Sequence, residues 1–336
     1  MYLVKMKVTF KILRQKSNST PQFQNYTIDV DPNNTILECL NKIKWELDGS
    51  LTFRKNCRNT ICGSCAMKIN GRSALACKEN IAGELKIINP NGENNIHEIV
   101  ISPLNNLPVL KDLVVDMSNF WNDLETIEPY ISSNSRNIPE KEFLQTPDQR
   151  KLLEQTGNCI MCGACYSECN AKEVNSHFVG PHALAKSYRL VTDSRDNNTE
   201  QRLEKYDSSD SGVWGCTRCY LCNEVCPMDV APLDQISKVK SAILAKKDQN
   251  SSLPIRHRKV LINLVKKDGW IDERKFGVMV VGNYFRDVKG LLSIAPLGLH
   301  LLCAGKFPFN FEASEGVKEV RALIDAVQKD NSTMKN

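Results

Sequence analysis

The sequence predicts an α+β chain: a small mixed sheet crossed by one helix, then an all-helical region, then a helical extension. Three observations carry this reading. Apolar residues alternate with period two near the N-terminus, the period turns helical after Leu107, and twelve of the fourteen cysteines fall into three tight groups. A chain of 336 residues with 41% apolar and 25% charged side chains can bury sizeable cores. Disorder, collagen-like repeats and a membrane-embedded body are excluded.

From Val4 to Ile12, apolar residues alternate with Lys5, Lys7, Thr9 and Lys11, the pattern of a strand with one buried face. Tyr26, Ile28 and Val30 repeat it after the polar turn Gln15 to Pro21. Thr35 and Glu38 then form a capping box, followed by the helical stripe Ile36, Leu37, Leu40 and Ile43. A cysteine loop, Asn56 to Cys65, precedes strand candidates at Ala66 to Ile69, Leu85 to Ile88 and Ile96 to Ile101, and the sheet is expected to end near Ser102 and Pro103. Leu110, Leu113, Val114 and Met117 set a helical period, and no further strands are expected. Helices are predicted at His182 to Val191, Leu233 to Lys247, Ile255 to Lys267 and Gly316 to Lys329, with a polar loop from Asp196 to Gly212. The implied domains are residues 1–105, 106–247 and 248–336.

The net charge of +5 is uneven: residues 231–336 hold 18 basic and 11 acidic side chains, and the rest of the chain is slightly acidic. The most apolar run, Leu291 to Leu302, has 12 residues broken by Pro296 and Gly298, short of the ~20 that span a bilayer. No transmembrane helix and no export signal are expected, which makes a reducing, cytoplasmic setting the default. Cysteines two to four residues apart in a long unsignalled chain argue against a disulfide scaffold.

The first group, Cys57, Cys62, Cys65 and Cys77, has the C-x4-C-x2-C spacing, with a later fourth cysteine, by which plant-type ferredoxins hold a 2Fe-2S cluster. Gly63 permits close approach of the loop. The other two groups repeat C-x2-C-x2-C-x3-C, the signature in which each run gives three thiolates to one 4Fe-4S cluster and its fourth to the other. Cys159, Cys162, Cys165 and Cys226 are thereby assigned to one cluster, and Cys169, Cys216, Cys219 and Cys222 to the other. Zinc needs only four convergent ligands, usually as separated C-x2-C pairs, and fits these spacings poorly. No nucleotide fingerprint, nucleophile elbow or H-E-x-x-H motif is present, so no catalytic residue is assigned. The five histidines, His97, His177, His182, His257 and His300, are read as surface or packed residues, and Cys39 and Cys303 stand outside the clusters.

With these motifs the chain resembles the iron-sulfur subunit of the succinate dehydrogenase and fumarate reductase family over about residues 4–245. The resemblance lies in CRNTICGSCAMKINGRSALAC (Cys57–Cys77), CIMCGACYSEC (Cys159–Cys169), GPHALAKSYRLVTDSRD (Gly180–Asp196) and CTRCYLCNEVCP (Cys216–Pro227). It implies a β-grasp N-terminal domain facing a flavoprotein subunit that carries FAD, and a helical ferredoxin domain facing a membrane. Electrons would pass from flavin through the clusters to quinone, as in the succinate dehydrogenase step of the tricarboxylic acid cycle. The implied location is peripheral, on the cytoplasmic face of a membrane, with no nucleic-acid partner. An alternative is the iron-sulfur subunit of a heterodisulfide-reductase-like or other flavin dehydrogenase complex.

Two departures from the common family pattern matter. Most members lack a cysteine where Cys219 stands and carry a 3Fe-4S cluster there, so the resemblance implies a variant branch with a second 4Fe-4S cluster, or 3Fe-4S if Cys219 is not a ligand. The stretch Asn170 to Asn175 and Thr217 also replace the proline, tryptophans and histidine of the usual quinone pocket. The variant branch usually pairs with a cysteine-rich membrane-associated subunit, whereas the common members use a quinone-reactive anchor. Beyond about residue 245, Arg274 to Phe309 combines apolar runs with Arg286, Lys289 and Lys306. This reads either as a docking surface for a membrane-associated partner or acidic lipid, or as an extra helical subdomain.

Overall fold

A computed structural model describes residues 5–16, 19–90, 97–133, 142–246, 252–307 and 310–333. It forms two compact units, residues 1–243 and 244–336. In the first, β1 (Met6–Arg14) and β2 (Gln22–Val30) pair antiparallel, with Met6 opposite Val30. The alternation of β1 puts Val8, Phe10 and Ile12 on one face, all fully buried. The Thr35 to Glu38 capping box is formed and starts α1 (Ile36–Lys42), whose Ile36, Leu37 and Leu40 pack into the same core. A single π turn, Ile43–Leu47, extends α1 and buries Ile43.

After the cysteine loop, β3 (Ala66–Ile69) and β4 (Arg72–Leu75) make a hairpin. Its two turn residues, Asn70 and Gly71, take φ of 49° and 84°, the left-handed pair that suits the strand twist. α2 (Ile81–Ile88) follows, and β5 (Glu98–Ser102) then enters between β1 and β3, giving the order β2-β1-β5-β3-β4. β1 and β5 are parallel, and the other neighbours are antiparallel. This is the mixed sheet with a crossing helix that the sequence predicts. The predicted strand start at Val4 and the Ile96 end of β5 lie outside the described residues, as does part of the Gln15 to Pro21 turn.

Three sequence expectations are corrected. Leu85 to Ile88 is helical, because Asn80 caps α2 by accepting from the Gly83 N–H at 2.7 Å and because Ile81 reaches the core. Leu110 to Val114 does not start a helix: β6 (Val109–Lys111) and β7 (Val114–Val115) form a small hairpin instead. Its turn residue Asp112, at φ 48°, aims a buried carboxylate at Arg14 Nε (3.0 Å) and at the N–H groups of Gln15 (3.2 Å) and Thr52 (2.9 Å). These tertiary bonds override the local helical period.

The helical part of this unit comprises α3 (Ser118–Glu125), α4 (Pro147–Gly157), α5 (Ala164–Ser167), α6 (Asn170–Val174), α7 (Gly180–Thr192), α8 (Thr199–Tyr206), α9 (Leu221–Glu224) and α10 (Pro232–Lys246). α8 lies within the predicted polar loop and is the third correction. Its Arg202 is buried and bonds bidentately with Asp196, while Leu203 and Tyr206 face inward. α7 is the central helix, with His182, Ala183, Leu184, Ala185 and Ser187 all buried, and it packs against α3, α4, α5 and α8. Sheet and helices are joined at Ser73, whose hydroxyl bonds Ser167 Oγ at 2.8 Å and Glu168 Oε1 at 2.6 Å.

The second unit holds α11 (Leu253–Asp268), α12 (Glu273–Val280), α13 (Val288–Cys303) and α14 (Val317–Thr333). Val260, Leu264 and Val280 form its small core. α13 continues through Pro296 and buries none of its residues. Among the described residues, no helix is long and apolar enough to cross a membrane.

Candidate metal-cluster sites

The loop from Asn56 to Cys65 is wound by left-handed residues, with φ of 58° at Arg58, 57° at Thr60 and 69° at Gly63. Such turns point successive backbone N–H groups inward. The Asn59 N–H lies 3.3 Å from Cys57 Sγ, the Thr60 N–H 3.4 Å from Cys77 Sγ and the Cys57 N–H 3.5 Å from Cys62 Sγ. Cys65 is buried at the start of β3, and the Ala76 N–H donates to its carbonyl, which fixes the neighbouring Cys77. Burial alone would raise the Cys62 thiol, but hydrogen bonds from the Ser64 side chain and the Cys57 and Ser64 backbone hold it at about 6. Burial raises Cys65 to about 12. N–H groups converging on four gathered sulfurs suit an anionic iron-sulfide group.

The two later cysteine runs share one backbone shape. Met161 and Arg218, each just before the second cysteine of its run, have φ of 54° and 60°. Gly163 and Tyr220, each just after it, have φ of 86° and 72° and precede the short helices α5 and α9. The equivalence extends to Tyr220, which holds a left-handed conformation where the other run uses glycine.

Cys159, Cys162, Cys165 and Cys226 line one small cavity, walled by Phe120, Met161 and Val230. The Val230 N–H lies 3.3 Å from Cys226 Sγ. Burial raises the Cys162 thiol to about 11, with Cys159 and Cys226 adding to the shift. Cys165 is pushed well above the ordinary thiol range by burial and then by Cys162 and Cys159. In the other set, burial raises Cys169 to about 11 and Cys222 to about 12, and the nearby thiols adding to both shifts include Cys216 and Cys219. The last cysteine of each run thus sits with the first three of the other. Cys219 is exposed, whereas Cys169 and Cys222 are buried.

Among the described residues, no three His, Cys, Asp or Glu side chains are set to hold a single metal ion. Cys159, Cys162, Cys165 and Cys226 nonetheless face one common cavity, a donor set that suits an iron-sulfide group. Cys39 is buried in the sheet core, with its thiol raised to about 12 by burial, and Cys303 is exposed on α13. His182 is packed in the wall of the cavity: its Nε2 lies 2.9 Å from the Phe120 carbonyl, and its ring stacks on Phe120 at 3.8 Å. Residues invisible to motif reasoning are Met161, Val230 and Lys186. The last is close enough to Cys159 for the two charges to interact.

Two family models match the regions that carry these cysteines. Residues 9–122 match the family model described as a 2Fe-2S iron-sulfur cluster binding domain, and residues 155–230 match that of a 4Fe-4S dicluster domain. The mitochondrial succinate dehydrogenase [ubiquinone] iron-sulfur subunit 3 of Arabidopsis thaliana is 37% identical over 241 residues, covering 70% of this chain and 75% of that protein. The fumarate reductase iron-sulfur subunit of Escherichia coli is 36% identical over 223 residues, 66% of this chain and 86% of that protein. A chain of the Mycobacterium smegmatis Sdh1 complex in the apo form shares the fold, with a TM-score of 0.63 at 22% identity, covering 73% of this chain and 98% of that one.

Proposed function

The chain belongs to the family of succinate dehydrogenase and fumarate reductase iron-sulfur subunits, and from that premise we propose that it conducts electrons between an FAD-bearing flavoprotein subunit and a membrane-associated partner. When bound, one 2Fe-2S and two 4Fe-4S clusters supply a row of one-electron carriers. Cys57, Cys62, Cys65 and Cys77 hold the first; Cys159, Cys162, Cys165 and Cys226 the second; Cys169, Cys216, Cys219 and Cys222 the third. The chain itself binds no dicarboxylate.

The observation that carries this reading is the crossed grouping of the two later cysteine runs, together with their matching left-handed turns. Backbone N–H groups of Asn59, Thr60 and Val230 donate to sulfur, which favours the anionic ligand state and works against the burial that raises the thiols. The membrane-side partner is of the quinone-reactive or cysteine-rich kind, reached from the cytoplasmic face. Quinone is met through that partner, because Asn170 to Asn175 and Thr217 offer no aromatic wall. The basic second unit, with the exposed leucines of α13, supports a peripheral attachment.

The test is purification of the native complex with metal analysis and paramagnetic resonance. About ten iron atoms per chain and a co-purifying flavoprotein are expected. Zinc in place of iron, or a chain that occurs only as a free monomer, would sink the reading.

A further inference from the structure

Beside the Cys159 cavity, and separated from it by one side chain, lies a second and wider pocket. Leu124, Pro129, Tyr130, Ile131, Met161, Lys186, Arg189 and Leu190 line a pocket of about 480 Å³ that opens to solvent. Met161 lines both cavities. Most of the wall is apolar, yet two cations from adjacent turns of α7 reach it. The Lys186 ammonium donates to the Thr156 carbonyl at 3.2 Å. The Arg189 guanidinium is half-buried, and among the described residues it makes no hydrogen bond and no ion pair. A guanidinium with no side-chain hydrogen-bond acceptor among the described residues, set beside apolar side chains, is an anion-binding arrangement, with Asp193 the nearby carboxylate whose charge it also feels.

The rim is held in place. Buried Arg202 donates to the carbonyls of Ile127 (3.3 Å), Glu128 (2.9 Å) and Tyr130 (2.6 Å), while its partner Asp196 accepts the Ser132 N–H at 3.0 Å. The segment carrying Pro129, Tyr130 and Ile131 is therefore anchored on both sides without using Lys186 or Arg189. Lys186 is held by the Thr156 carbonyl alone, and Arg189, whose charge also bears on Asp193, donates no side-chain hydrogen bond within the described residues.

We propose that this pocket binds a small molecule whose apolar ring or chain ends in a carboxylate or similar oxyanion. The charged end sits on Arg189 and Lys186, and the apolar body lies against Met161, Leu124, Ile131 and Leu190. The inference rests on the proposed function in one respect: Met161 lies between Cys159 and Cys162, so a ligand here adjoins an electron carrier.

Calorimetric titration of the iron-loaded complex with 1-naphthoate tests it. One naphthoate per chain is expected, with affinity falling at least tenfold in Arg189→Gln and at least tenfold when neutral 1-naphthamide replaces naphthoate. Saturating naphthoate is also expected to alter the resonance line shape of the reduced Cys159 cluster. Decanoate in a parallel arm distinguishes a chain ligand from a ring ligand, and binding of neither acid overturns the proposal, as does affinity unchanged by Arg189→Gln. Should that variant fail to accumulate, Lys186→Gln is expected to weaken binding in the same direction. Iron and sulfide analysis of the same samples tests the cluster reading separately, because calorimetry reads naphthoate binding whichever metal is present.

Discussion

Gly63 lies against Cys162: a methyl group on Gly63 would sit 2.9 Å from both Cα and Cβ of Cys162 and 3.0 Å from the Ile160 carbonyl oxygen. The loop of the first cysteine group thus touches the loop of the second with no side chain between them. Close approach matters for electron transfer between the two sites, and only glycine permits it here. Gly71, at φ 84°, is left-handed like Gly63 but has nothing within 4 Å of its would-be methyl. Gly71→Ala is expected to cost about 1–2 kcal/mol from backbone strain alone. Gly63→Ala should cost more in thermal stability and should change the resonance signals of both the Cys57 and Cys159 groups. Equal costs with unchanged spectra would show that the contact does not govern the spacing.

That contact was not legible in the sequence, although both of its loops were. Cysteine spacing is a local pattern, so it predicts which thiols gather, crossed grouping included, but it says nothing about which loops meet. The same limit explains the fold. Period-two alternation identified β1 and β2, because one face is buried and the other is wet. The helical period of Leu110, Leu113, Val114 and Met117 gives way to a hairpin because the Asp112 carboxylate finds Arg14, Gln15 and Thr52, all far away in sequence. The β3–β4 hairpin, by contrast, had a usable signal in Asn70-Gly71. α8 falls in the predicted polar loop because nothing local shows that Asp196 and three carbonyls enclose Arg202.

His182 makes the helical region sensitive to acid. Burial pushes its imidazole down to about 3, and the Lys172 charge acts in the same direction, against the Phe120 carbonyl, which favours protonation. Tyr166 packs edge-on against the ring and holds Asp123, which pairs with Lys172. Because the folded pKa is depressed, the contribution is present above the ordinary value of 6.5 and is lost as pH falls towards 3. The loss amounts to about 2 kcal/mol by pH 5. The thermal midpoint of the native protein should therefore drop more steeply between pH 7.5 and 5 than that of His182→Phe. Parallel slopes would assign the acid sensitivity to other groups.

The exposed leucines of α13 give the tail a testable role. Leu292, Leu297 and Leu299 are each more than 60% exposed, no acidic residue occurs between Asp287 and Glu312, and Arg286, Lys289 and Lys306 flank the run. Apolar side chains framed by cations suit an anionic bilayer surface. The double variant Leu292→Glu and Leu299→Glu should keep its iron content but release the protein from vesicles containing anionic lipid, read by co-sedimentation. Undiminished binding would place membrane attachment elsewhere.

The position of Cys219 bears on the kind of cluster proposed for Cys169, Cys216 and Cys222. Its flanking residues Arg218 and Tyr220 repeat the left-handed geometry of Met161 and Gly163 around Cys162, and its charge acts on both Cys169 and Cys222. A tyrosine at φ 72° is strained by about 1–2 kcal/mol relative to glycine, a cost that the surrounding loop must offset. That offset makes sense when the turn delivers Cys219 to the same site as its three partners. The native protein, oxidised and at low temperature, should therefore lack an intense three-iron resonance signal. Cys219→Ser should lose about one iron per chain and gain that signal, with the Cys57 group unchanged. A strong three-iron signal already present in the native protein at full iron occupancy would remove Cys219 from the ligand set, leaving Cys169, Cys216 and Cys222 to hold the cluster.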